Sequence, residues 1–288
     1  MRINIIGAGM AGLLAANMLR RYETTVYERQ LVLPNNHHAV LRFRTPKVGD
    51  ALGISFKKVQ MLKSYVPFAN IVADSLSYSR KCTGVYRSDR SIIDGTYMSE
   101  RYIAPKDLIE QMSKNIDIKY GVDYSFADSK LPVISTIPMP VLMNILKYPH
   151  KIEFNSIPGI VITGTILGCD AYVSLLFPGE EPYSRATITG DQFIVEFPNK
   201  TKIEDRETML YEIDGHLGLQ DATITNVVTN KQDFFKITEI NDAERKKFQR
   251  WATVNHNVYS LGRYSTWRPK LLLDDLVDDI KKIEGWIK

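Results

Sequence analysis

Short apolar runs closed by glycine, proline or asparagine alternate with longer amphipathic stretches along the first half of the chain. Ile3 to Ile6 is the first run and reads as a buried strand, followed by an apolar helical pattern from about Ala11 to Arg21 and a second short strand ending at Glu28. The pattern then predicts a helix over 49–65, strands over 71–79 and 84–87, a helix over 105–113 and a strand over 116–120. Val133 to Ser135 reads as another buried strand, and the turn from Thr136 to Pro140 opens a short helix.

Between 150 and 240 the character changes. KIEFNSI, GIVITGTIL, AYVSLLF, ATITG and QFIVEF are rich in β-branched and aromatic residues and bounded by turn formers, which predicts an antiparallel sheet, with a flanking helix over 204–217. The chain closes on a strand, Val258 to Leu261, then Gly262 and Arg263, then a helix with Leu273, Leu276, Val277, Ile280 and Ile283 on one face. Asp274 and Asp275 at its start and Lys281 and Lys282 near its end complement a helix dipole. These elements predict an α/β fold: a discontinuous, Rossmann-like cofactor-binding domain from 1–50, 100–145 and 255–288, with an inserted antiparallel β-sheet substrate domain from 51–99 and 146–254.

The strongest chemical signal is the first turn. Gly7, Gly9 and Gly12 follow a strand and open a helix, with the acid Glu28 after the next strand, which is the dinucleotide-binding fingerprint in its proper setting. Gly7 permits the sharp turn, Gly9 lets the backbone approach a pyrophosphate, and Gly12 lets the helix pack on the sheet. The helix N-terminus then faces the phosphate oxygens. Glu28 would accept ribose hydroxyls and repel a 2′-phosphate, which favours NAD or the ADP half of FAD over NADP. The closing strand, its Gly262-Arg263 turn and the helix after it form a second place for a pyrophosphate.

Composition narrows the class. A chain of 288 residues accommodates two domains. No apolar run reaches membrane-spanning length, and the first strand starts too early for a signal peptide, so a cytoplasmic protein is expected. Cys82 and Cys169 are isolated thiols without metal-ligand spacing. The net charge of +4 is too mild to identify a partner.

Together, the N-terminal GAGMAG with Glu28, the central VISTIP and the late LGRYSTW with its helix resemble the FAD-binding architecture of flavin amine oxidases, protoporphyrinogen oxidase and UDP-galactopyranose mutase. The resemblance implies FAD, with Glu28 on the adenosine ribose, Gly9 and Gly12 bordering the pyrophosphate, Val122 near the adenine and Arg263 on the pyrophosphate. Backbone groups around Leu272 and Leu273 would reach the flavin ring. It also assigns Gly7, Ala11, Arg29, Arg44, Thr136, Gly262 and Trp267 to the cofactor. The short chain and the stretch HHAVLRFRTPKVGD are similar to compact flavoproteins of phages that hypermodify thymine, and would place the protein in a host cytoplasm. That likeness implies an amine oxidase or C–N lyase converting glycyl-modified thymine in DNA to aminomethyl-uracil. The alternatives are a mutase-like flavoenzyme acting on a sugar nucleotide and a flavin-free NAD-binding protein.

No catalytic triad is visible, so the polar candidates stand singly. His37 and His38 follow the second strand where the family's chain passes near the flavin, with His38 the catalytic candidate; ordinary solvated or core histidines would look the same. Arg42 and Arg44 share one face of an extended segment, either on flavin phosphate or on the surface. Tyr183 and Arg185 enter the β-rich region after PGEEP, where an arginine would clamp a substrate carboxylate or phosphate or else be an exposed strand charge. KKFQRW at 246–251, RYSTWRPK at 263–270, and Lys57 with Lys58 are the basic segments available to DNA.

Overall fold

The computed structural model describes residues 1–34, 41–87, 95–126, 131–198, 215–218 and 223–287. Among them, strands β1 (Arg2–Ile6), β2 (Glu23–Glu28), β6 (Asp117–Tyr120), β7 (Val133–Ser135) and β13 (Val258–Ser260) form a parallel sheet in the order β13-β7-β1-β2-β6. Alternation along β1 sends Ile3 and Ile5 to one face and Ile6 to the other. On the first face α1 (Met10–Met18) packs Leu13 and Leu14 against Leu108 and Met112 of α4 (Leu108–Ser113) and Leu276 and Ile280 of α7 (Asp275–Ile287). On the second, α5 (Met139–Ile145) and α6 (Asp242–His256) bury Leu142, Phe248 and Ala252 with Trp267. Helices on both faces are what a parallel sheet requires, and each fully buried Leu contributes about 1.5–3 kcal/mol.

The second sheet runs β12-β8-β11-β10-β9-β4-β5-β3. Its strands are β3 (Arg42–Phe43), β4 (Lys57–Tyr65), β5 (Tyr97–Ile103), β8 (Ser156–Ile166), β9 (Ala171–Leu176), β10 (Arg185–Gly190), β11 (Gln192–Pro198) and β12 (Ile224–Ile237). Pairing is antiparallel except between β4 and β9, which run parallel. The expected α/β class with a β-rich second sheet is therefore the observed one.

Three expectations are corrected. The helix over 49–65 is instead a short α2 (Lys47–Leu52), stopped by Gly53 at φ 69°, and then strand β4, where Val59, Met61 and Tyr65 are the buried positions. Residues 71–79 are not strand but part of α3 (Ile71–Thr83), because Asn70 caps it: its Oδ1 accepts from the amides of Val72 and Ala73. Residues 84–87 hold no strand, since Gly84 ends α3 in the left-handed region. The helix expected over 204–217 lies almost wholly outside the described residues. No helix among the described residues is long and apolar enough to cross a membrane.

Candidate active site

The glycine turn is built as a joint between strand and helix. Gly7 sits at φ 96°, and a Cβ there would lie 2.2 Å from the Thr136 hydroxyl, which itself donates to the Ile6 carbonyl at 2.7 Å. A Cβ on Gly12 would lie 1.9 Å from the Gly7 carbonyl oxygen, so this position sets how closely α1 approaches β1. Glu28 is buried and accepts from the Ala8 amide at 2.8 Å and the Gln30 amide at 2.9 Å, so its carboxylate anchors the turn directly. The Val122 amide donates to the Glu28 carbonyl, placing Val122 beside it.

A cavity of about 750 Å³ opens between the two sheets. One wall comes from the parallel sheet: Gly9 and Ala11, Thr136, Gly262 and Arg263 after β13, and Leu272, Leu273 and Asp274 ahead of α7. The other comes from the second sheet and carries Arg42, Lys63, Arg101 and Arg185, with Arg44 just beyond β3 and Tyr78 and Tyr97 between. Among the described residues Asp274 is the only carboxylate in the lining, and it is already committed. It accepts from the Arg44 amide at 3.1 Å, the Thr45 amide at 2.8 Å and the Thr45 hydroxyl at 2.6 Å, which ties the chain after β3 to the turn before α7.

Among the described residues the cations therefore face one another with no carboxylate in the lining beyond Asp274. Burial, followed by the neighbouring Arg185, pushes the Arg42 guanidinium down to about 9. Burial, then Arg101, Arg42, Arg44 and Arg185, pushes the Lys63 ammonium down to about 8. Arg185 is fixed from behind by Glu196, its partner in register across β10 and β11, and Glu196 also accepts from Lys236 at 2.6 Å. Burial opposes the charge on Arg185 and on Glu196, yet the pairing outweighs it, raising the arginine and holding the carboxylate well below its usual range. Affinity of this wall for inorganic pyrophosphate should fall as pH rises through about 8 and Lys63 loses its proton; Lys63→Met should remove that step. Calorimetric titration on either side of that pH checks it, and a flat profile in the unmodified protein would refute the assignment.

Of the residues singled out in the sequence, Gly9, Ala11, Arg44, Thr136, Arg185, Gly262, Arg263, Leu272 and Leu273 line this one cavity. Gly7, Gly12 and Glu28 lie behind it as the frame of the turn, and Arg29 follows Glu28 outside the lining. Two residues are corrected. Trp267 is buried on the far face of the parallel sheet, its indole N–H donating to the Thr238 carbonyl at 3.0 Å, because its ring completes the packing of Phe154 and Phe234. Tyr183 is fully buried edge-on to Phe177 and Phe197, a core role in the second sheet. His37 and His38 lie outside the described residues. Lys63 and Arg101 were not legible as site residues: each is one charge in a strand far along the chain from Arg42 and Arg185.

By sequence the chain matches no family model and no curated protein. By structure it is similar to reduced UDP-galactopyranose mutase, with a TM-score of 0.67 at 16% identity over 99% of this chain and 96% of that one. An oxidoreductase from Methanosarcina mazei gives 0.57 at 11% identity, over 99% and 100% of the two chains. A flavoprotein/dehydrogenase from Cytophaga hutchinsonii gives 0.54 at 10% identity, over 98% and 79%. The chain shares a fold with these three proteins; in this chain it is a parallel sheet and a large β-rich sheet with the cavity between them.

Proposed function

We propose that this protein is an FAD-dependent oxidoreductase that oxidises an amine bearing an acidic group close to its nitrogen. The wall around Gly9 suits the cofactor: a Cβ on Gly9 would meet nothing within 4 Å, α1 has no side-chain cap, and Thr136, Gly262 and Arg263 border the same space. FAD, when bound, would supply the two-electron acceptor for oxidation of the carbon beside the amine nitrogen. The protein's own groups would bind, orient and set the protonation state.

The single observation that carries the substrate reading is the cationic wall. Arg42, Arg44, Lys63, Arg101 and Arg185 disfavour an ammonium ion, which keeps the amine in the neutral form that oxidation needs, and attract a carboxylate. Arg185, fixed by Glu196, would clamp that carboxylate. An N-substituted glycine has both features, and glycyl-modified thymine in DNA is the substrate we assign, yielding aminomethyl-uracil and glyoxylate. The same wall and the likeness to UDP-galactopyranose mutase support a second reading, a sugar nucleotide held by its diphosphate.

Incubation of flavin-loaded protein with DNA carrying glycyl-thymine, read by mass spectrometry and oxygen uptake, should give aminomethyl-uracil, glyoxylate and oxygen consumption. Turnover of UDP-galactopyranose with no oxygen uptake and an inert glycyl-DNA would replace this reading with the second.

A further inference from the structure

Two of the basic segments come together away from the cavity. Between α6 and α7 runs a groove of about 460 Å³, beside the edge strand β13. Arg245, Lys246 and Arg250 of α6 line one side, with Arg268 from the turn after β13, and Lys282 of α7 lies opposite. Two carboxylates oppose these five cations. Asp242 is shared by Arg245 and Lys246, and Asp279 pairs with Arg268, so Arg250 and Lys282 make no close ion pair among the described residues, with Asp278 acting on Lys282 only through space. Trp286, 67% exposed, stands at the rim, and its ring is not spent on the core. The third basic segment does not join them: Lys57 and Lys58 lie on β4, paired with Asp170 and Glu100.

A row of cations beside an exposed indole is the chemistry of a single nucleic-acid strand, whose phosphates take the charges and whose bases stack on the ring. We propose that the α6–α7 groove is a docking surface for single-stranded nucleic acid, with Arg250, Lys282 and Lys246 on phosphates and Trp286 stacked on a base. An acidic peptide would use the cations but leave the ring idle, which is why the strand is favoured. The surface is argued from its own charges and aromatic, so it stands or falls apart from the flavin chemistry.

The probe is a labelled oligothymidylate of about 20 nucleotides, titrated by fluorescence anisotropy against the full chain from low to moderate salt. Binding is expected to weaken steeply with salt, and the triple variant K246E/R250E/K282E should bind at least about tenfold more weakly, with a log–log salt slope shallower by about 2. Trp286→Ala should weaken binding about tenfold while Trp286→Phe retains it. None of these residues touches the cavity, so flavin content and amine turnover on a small substrate should not change. Equal affinity of the triple variant and the unmodified protein overturns the proposal. So does binding to anionic phosphatidylserine vesicles or poly-glutamate with none to the oligonucleotide.

Discussion

Gly9→Val should yield a folded, soluble protein that purifies without flavin. Gly9 lies at φ −75° and ψ −179°, extended backbone open to any residue, and its added side chain would meet no protein atom within 4 Å. The valine methyls would instead occupy the cavity at the start of α1, where the pyrophosphate has to approach the backbone. The expected loss is on the order of 3 kcal/mol, more than a hundredfold in Kd. Absorbance of the purified variant, with a thermal melt to show that the fold persists, is the measurement; full flavin content would remove the glycine turn from the cofactor site.

Glu196→Ala should be among the most damaging single changes for stability. It leaves Arg185 and Lys236 next to each other with their shared carboxylate gone, and breaking a buried pair in this way costs about 3–5 kcal/mol. The same group sets an acid dependence. Its folded pKa is depressed, so its contribution is complete above the unfolded carboxylate value of about 4.3 and is lost as pH falls below that toward the folded value. Urea midpoints followed from neutral to acid pH should decline for the unmodified protein, whereas Glu196→Gln should start lower and lose that part of the slope. An unchanged midpoint for Glu196→Ala at neutral pH would mean that the triad contributes nothing.

What was legible in the sequence was local. The first strand, turn, helix and Glu28 can be read because each residue acts within a few positions of its neighbours, and Val133 to Ser135 because an apolar run between turn formers has one reading. The failures at β4 and α3 have a shared cause. KKVQMLKSY alternates only at Val59 and Met61 before Leu62 turns outward, and α3 has a mixed surface whose start is marked by the Asn70 cap more than by hydrophobic period. The cationic wall was only partly visible. Arg42 and Arg44 are near neighbours in the sequence, but their meeting with Lys63, Arg101 and Arg185 depends on strand order in the second sheet, where β4 and β9 pair across more than a hundred residues. Tyr183 and Trp267 are buried in the core, and the sequence does not reveal this because a large aromatic beside a turn looks the same whether it faces a cavity or a core.

The grip of Asp274 on Arg44 and Thr45 has a consequence for how the molecule is made. A ribosome delivers the glycine turn some 250 residues before the segment that pins the chain after β3 and the Gly262 turn beside Ala11. Until then the nascent sheet also lacks its outer strand next to β7, and closing so long a loop is the slow, entropically opposed part of folding. This wall of the cavity is thus assembled late, from segments far apart in the sequence. A translation product that stops short of Asp274 would carry the whole fingerprint and hold nothing in it.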